Sequence, residues 1–147
     1  MGNADNPGLG AAFEVTAQRI LASEGIVVSR GFPIEVGVWA RDQRPHKFDL
    51  GSHHPAVLVE CKAHTWTTGR NAPSAKLAVW NEAMHYFRCA PARFRKIFFV
   101  LRDLRDDESL AAHYLKRFGH LVPHDVEIWE YDQQTSGVAV VRAAQAE

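Results

Sequence analysis

Phe48-Asp49-Leu50-Gly51 and, after a short His/Pro turn, Val57-Leu58-Val59-Glu60-Cys61-Lys62 set two acids and a lysine on segments that read as paired strands. Successive side chains of a strand point to opposite faces, so Glu60 and Lys62 share one face, roughly 6–7 Å apart. Val57, Val59, Cys61 and Ala63 take the other face. In the preceding segment Phe48 and Leu50 point one way, and Lys47 and Asp49 the other. Gly51 to Pro55 holds turn-forming residues, and a hairpin there sets Asp49 across from Glu60. Two facing carboxylates repel unless something positive stands between them, and a hard, oxygen-seeking cation such as Mg²⁺ or Mn²⁺ meets that need. With Lys62 alongside, the set suits metal-assisted cutting of phosphodiesters.

The elements that must hold these residues follow from periodicity. Phe13, Ala17, Ile20 and Leu21 form a helical stripe over Gly10 to Glu24, and Gly25 is a stop signal. Pro33 to Ala40 alternates Ile34, Val36 and Val38 against Glu35, Gly37 and Trp39, the pattern of a strand. Strands over 46–50 and 57–64 come next. From Pro73 to Arg88, Leu77, Trp80, Met84 and Phe87 recur at three- and four-residue steps, with Pro73 suited to a first helical turn. Lys96 to Leu101 is an apolar run with the length of a buried strand, expected to lie parallel to 57–63 across the helical connection. A third helix over Glu108 to Phe118 and a strand over Val126 to Tyr131 follow, and Val138 to Arg142 pairs with that strand across Thr135-Ser136-Gly137.

An aspartate ending one strand, a turn, and Glu-x-Lys in a strand whose other face is wholly apolar resemble the PD-(D/E)xK nuclease superfamily, the restriction-endonuclease-like group. Asp49 matches the first acid, Glu60 the second and Lys62 the lysine. Phe48 stands where members often carry a proline. The order helix, three strands, helix, strand also matches, so the resemblance implies an α/β (α+β) fold with a restriction-endonuclease-like core, a mixed sheet flanked by helices. It implies a metal-dependent DNA endonuclease in which Asp49 and Glu60 hold one or two Mg²⁺ or Mn²⁺ ions and Lys62 orients or helps deprotonate the attacking water. The carbonyl of Cys61, between the two side chains, is a further expected ligand. Many members add a glutamate from the first helix. Here Glu14 and Glu24 are the candidates, and Glu14 is favoured because Glu24 sits at the helix end. The alternative is a nuclease-fold nucleic-acid-binding or scaffold subunit without catalysis.

Around this core, His64-Thr65-Trp66-Thr67-Thr68-Gly69-Arg70-Asn71 offers hydroxyls, a cation and an aromatic that suit a phosphate backbone, Arg70 by a bidentate pair. An ordinary loop with Trp66 tucked onto the core is the competing reading. Lys76 and Asn81 on the following helix are placed to face the site, and the His53-His54 turn to approach a substrate phosphate, with a solvated turn as the competing reading; Glu35 has no distinctive role. Zinc is disfavoured, because Cys61 and Cys89 are far apart and no C-x-x-C or H-E-x-x-H spacing occurs. On an apolar face, Cys61 behaves as a small hydrophobe. Serine-nucleophile and phosphate-loop motifs are absent.

The 147 residues, 46% of them hydrophobic, suit a single nuclease-like domain over 10–147 behind a flexible polar tail at 1–9. Two cysteines, no apolar run near 18 residues and no leader pattern point to a soluble, cytoplasmic protein with no membrane role. The formal net charge of zero argues against a free-standing nuclease, since nonspecific DNA affinity comes from cations. The distribution tempers that: residues 1–102 hold thirteen Lys and Arg against eight Asp and Glu, and residues 103–147 four against nine. Arg41, Arg44 and Lys47, with Arg93, Arg95 and Lys96, are candidates to flank a groove. Duplex or branched DNA is the expected partner, the motif equally allows RNA, and a homodimer would bring the two sites that cutting both strands requires.

Overall fold

The computed structural model describes residues 7–69 and 73–146. Helix α1 (Pro7–Ser23) leads into β1 (Ser29–Val36), β2 (Arg44–His53) and β3 (Ala56–Lys62); then come α2 (Ser74–Cys89), β4 (Arg95–Leu101), the short strands β5 (Leu104–Arg105) and β6 (Glu108–Ser109), α3 (Leu110–Phe118), a single 3₁₀ turn at Gly119–Leu121, β7 (Val126–Asp132) and β8 (Gly137–Arg142). Among the described residues the long strands form one six-stranded sheet in the order β1-β2-β3-β4-β7-β8. The β1/β2, β2/β3 and β7/β8 pairs are antiparallel, while β3/β4 and β4/β7 are parallel. The sheet is therefore mixed, and the chain is of the α+β class. The expected parallel neighbour of 57–63 is β4, with Glu60 beside Phe98 and Lys62 beside Val100.

Two cores cover the two faces of the sheet. Phe13, Ala17 and Leu21 of α1 bury with Leu50, Val57, Val59, Ile97, Phe99 and Trp129. On the other face, Leu77, Trp80, Met84 and Phe87 of α2 and Leu110 and Tyr114 of α3 bury with Phe48, Leu58, Phe98, Val126 and Ile128. The central run Ile97 to Val100 alternates between these cores and is fully buried, as a strand covered on both faces must be. Ser109 caps α3 by accepting a hydrogen bond from Ala112 N at 3.0 Å.

Several expectations need correction. Residues 7–9, expected in a tail, belong to the first turn of α1, and residues 1–6 lie outside the described residues. The strand expected at Pro33–Ala40 is β1 at Ser29–Val36. Its alternation runs on past the strand into a turn, where Gln43 Nε2 donates to Gly37 O and Trp39 O. Val38 and Trp39 consequently stand 78% and 64% exposed. The turn between β2 and β3 is two residues, His54 and Pro55, rather than five. Glu108, expected in the third helix, lies in the β5/β6 ladder before it.

The correction that matters most concerns Phe48 and Leu50. They enter opposite cores, so the simple alternation of β2 breaks at Asp49. Asp49 lies between the Phe32↔Phe48 and Arg30↔Leu50 pairs, at the step where the β1/β2 ladder is interrupted, and Gly31 on the β1 side of that step has a φ of 64°, a conformation that costs glycine little. The distortion lets β2 change faces where its acid sits.

Candidate active site

Asp49 stands at the seam where β2 and β3 part. The ladder between them runs from His53↔Ala56 to Leu50↔Val59, and at the next step Cys61 N donates to Asp49 Oδ2 at 2.8 Å. A carboxylate oxygen thus takes over a main-chain acceptor's task. This hydrogen bond fixes the first acid against the strand that carries Glu60 and Lys62.

The sequence-predicted residues come together in two groups around that seam. Glu14, Asp49, Cys61 and Lys62 line one cavity of about 300 Å³ under α1, with Phe13 and His64 in its wall. Glu60 enters from the α2 face, on the side of Leu58, and does not line that cavity. Val57, Val59, Cys61 and Ala63 pack toward α1 as expected. Asp49 links the groups electrostatically. Burial first, and then the Asp49 charge, raise the carboxyl pKa of Glu14. Glu60 is raised chiefly by burial, with the Asp49 charge adding to it against the lowering influence of His46 and Lys62. The Cys61 thiol is pushed up by burial and then by Asp49, Glu60 and Glu14. The pocket is therefore a place where negative charge is crowded and poorly solvated.

Counter-charges are incomplete. Arg30 of β1 reaches Glu14 Oε1 at 3.3 Å, which orients the α1 glutamate. Lys62 joins none of the ion pairs formed among the described residues. Glu60 Oε1 is buried with no hydrogen-bond partner, and so is His46 Nε2, although the two atoms lie only 3.5 Å apart. That separation and alignment leave both donor and acceptor capacity unused. Two orphaned polar atoms beside crowded carboxylates fit a site that completes its charge balance with a bound cation. Against this, no group of three or more His, Cys, Asp or Glu converges as a ready-made metal cage among the described residues.

Sequence reasoning missed two histidines. His46 stacks on Tyr86 of α2, with ring centroids 3.7 Å apart, and this holds it against Glu60. Its position two residues before Phe48 is a signal, because on a regular strand that spacing shares a face. His64, two residues beyond Lys62, accepts a hydrogen bond from Trp80 Nε1 at its Nδ1, 2.9 Å away. The neighbouring loop resolves toward the ordinary reading: Trp66 is buried, its N donates to Asp103 Oδ2, its Nε1 donates to Glu108 O, and Arg105 covers its ring at 3.9 Å. Lys76 donates to Thr65 O and Asn81 accepts from the Tyr114 hydroxyl, so both are engaged structurally. Arg70 and Asn71 lie outside the described residues. Glu24 is exposed at the end of α1. Lys96 is buried rather than flanking a surface groove.

No family model, no curated protein and no solved structure matches the chain.

Proposed function

We propose that the protein is a divalent-cation-dependent nuclease acting on DNA phosphodiesters, with Asp49, Glu60 and Lys62 as its central residues and a restriction-endonuclease-like core as its scaffold. One observation carries the reading: Glu14, Asp49 and Lys62 line one cavity, and the buried, partnerless oxygen of Glu60 lies across the strand seam from it. The element order, helix, three antiparallel strands, helix and a parallel fourth strand beside the Glu-x-Lys strand, supports the same assignment.

Asp49, at the seam, would hold Mg²⁺ or Mn²⁺ with Glu14 and the Cys61 carbonyl on the cavity side and Glu60 from across the seam, and the ion would supply an acidified water and neutralise charge growing at the phosphate. The chain's own groups do the rest. Lys62, unpaired in the described residues and lining the cavity, donates to the phosphate or the incoming water and offsets the developing negative charge. The Cys61 N–H holds Asp49 in one orientation, so a carboxylate oxygen is aimed before substrate arrives. His46, pressed on Tyr86, stands 3.5 Å from Glu60 Oε1 at the seam.

The test is cleavage of duplex, single-stranded, branched and RNA substrates with Mg²⁺ or Mn²⁺. Asp49→Asn and Lys62→Met should keep the fold and lower the rate by about 100-fold or more, while DNA affinity in Ca²⁺ changes far less. A parent protein that cuts none of the substrates, or variants that cut as fast as the parent, would remove the assignment. One second reading is a nuclease-fold subunit that binds nucleic acid without cutting it, favoured because no group of three or more His, Cys, Asp or Glu converges among the described residues. That reading predicts DNA binding unaffected by EDTA and no cleavage by any variant.

A further inference from the structure

A second cavity lies away from the candidate active site, at the opposite end of the parallel strands. It measures about 560 Å³, within the size range of small-molecule sites. The C-terminal half of α2, the start of β4 and the segment 120–125 before β7 enclose it.

Its chemistry is cationic and donor-rich. At the floor, the Lys96 side chain is 3% exposed, with Nζ 2.7 Å from Asp125 Oδ2 and a long 3.5 Å contact to Ala90 O. An ammonium has three donors, so at least one remains for the cavity that Lys96 lines. Around the mouth stand Arg88, His85, His120 and His124, all exposed. None of these four side chains forms an ion pair or hydrogen bond with another described residue. Arg88 favours the end of α2 by its charge, but the helix gives no reason for three further imidazoles to collect on the same opening. The only carboxylate in the lining, Asp125, is already occupied by Lys96.

The rim is braced rather than loose. Arg142 donates to Pro123 O at 2.7 Å, and Gln145 N donates to His124 O at 2.6 Å. Met84 and Val122 are buried in the wall and present apolar surface beside the donors. A guanidinium, imidazoles and an ammonium facing one space match the oxygens of a phosphate. The cavity far exceeds a bare phosphate, and its apolar wall calls for a ligand with an organic body.

We propose that this cavity is a second binding site, for the phosphomonoester of a nucleotide, with Arg88, His124 and Lys96 as the phosphate contacts. The same chemistry occurs on a free nucleoside monophosphate and on the 5′-phosphorylated end of a strand. The proposal is independent of the nuclease assignment, because no residue of the Asp49 site lines this cavity.

Calorimetric titration of the full chain without divalent cation tests it, using adenosine 5′-monophosphate, adenosine, and a dinucleotide with and without a 5′-phosphate. Adenosine 5′-monophosphate should bind, adenosine should bind at least about tenfold more weakly, and Arg88→Met and His124→Ala should each weaken the nucleotide by about tenfold. Both side chains are exposed, so circular dichroism should report an unchanged fold. Asp49→Asn should leave the affinity unchanged. A 5′-phosphorylated dinucleotide that equals or exceeds the monophosphate assigns the site to strand ends, and a weaker one assigns it to free nucleotide. The proposal is overturned if millimolar nucleotide gives no binding, if both rim variants bind like the parent, or if Asp49→Asn abolishes binding.

Discussion

Glu60 is a carboxyl buried at a sheet seam, with one oxygen lacking a hydrogen bond and a neighbouring carboxylate that disfavours its charge. Its folded pKa is raised above 4.5, so between 4.5 and that raised value the folded chain binds more protons than the unfolded one. Stability from this group is present at low pH and is lost as pH rises through that window. In metal-free protein, Glu60→Gln should therefore be more stable than the parent at neutral pH, with the difference shrinking as pH falls toward 4.5. Glu108, Glu127 and Asp132 shift downward, but they act equally in both proteins and cancel in the comparison. Urea denaturation across pH 4.5 to 7 measures this, and parallel pH profiles for parent and variant would contradict it. Mg²⁺ should reverse the order. A cation at about 100 times its Kd adds roughly 2.7 kcal/mol to the protein that binds it, and Glu60→Gln should forfeit most of that gain. A Tm that Mg²⁺ raises equally in both proteins would exclude Glu60 as a ligand.

At the scale of elements, β2 determines whether the acids meet. Phe48 feeds the core under α2 and Leu50 the core under α1, and Asp49 lies at the break between them. Gly51 follows at once, and an added Cβ there would collide with the Phe32 ring. Gly51→Ala should cost about 1–3 kcal/mol, the usual penalty of overpacking, because the new methyl meets Phe32 down to its Cβ and the ring packs on His53 and Phe94. Chemical denaturation gives the number, and a loss below about 0.5 kcal/mol would mean that Phe32 moves freely. If the seam is shifted as well, Gly51→Ala should lower cleavage more than it lowers substrate affinity.

Across the whole molecule, the sheet order turns a charge gradient along the chain into one across the structure. Strands β1 to β4 occupy one side and β7 and β8 the other, so the basic first 102 residues and the acidic remainder are spatially separated to that extent. Five exposed cations of the groove candidates, Arg41, Arg44, Lys47, Arg93 and Arg95, are the groups proposed to neutralise phosphates on the site-bearing side. With a slope near −0.9 per phosphate, DNA affinity in Ca²⁺ should fall with salt no more steeply than about −4 to −5 in log–log form. Fluorescence anisotropy over a salt series checks this, and a markedly steeper slope would require cations beyond these five at the interface. Among the described residues no helix is long and apolar enough to cross a membrane.

Elements with a local signal are legible in the residues alone. Leu77, Trp80, Met84 and Phe87 mark α2 because only a helix gathers residues at that spacing, and the apolar run from Ile97 marks β4 because only a strand covered on both faces tolerates it. The two-faced character of β3, with Val57, Val59 and Cys61 toward α1, was equally legible. Tertiary structure decided the rest. The alternation of β1 overruns the strand because it continues into a turn held by Gln43, a contact that no period encodes. The break in β2 coincides with the positive φ of Gly31 on one neighbouring strand and with the Cys61 N–H that bonds Asp49 from the other. His46 meets Glu60 only because Tyr86, 40 positions away in the chain, presses it there. Arg88, Lys96 and His124 share a cavity because parallel strands bring the end of one helix beside the approach to β7. Periodicity reports which face a residue takes, whereas the partner that waits on that face is set by packing between segments distant in sequence.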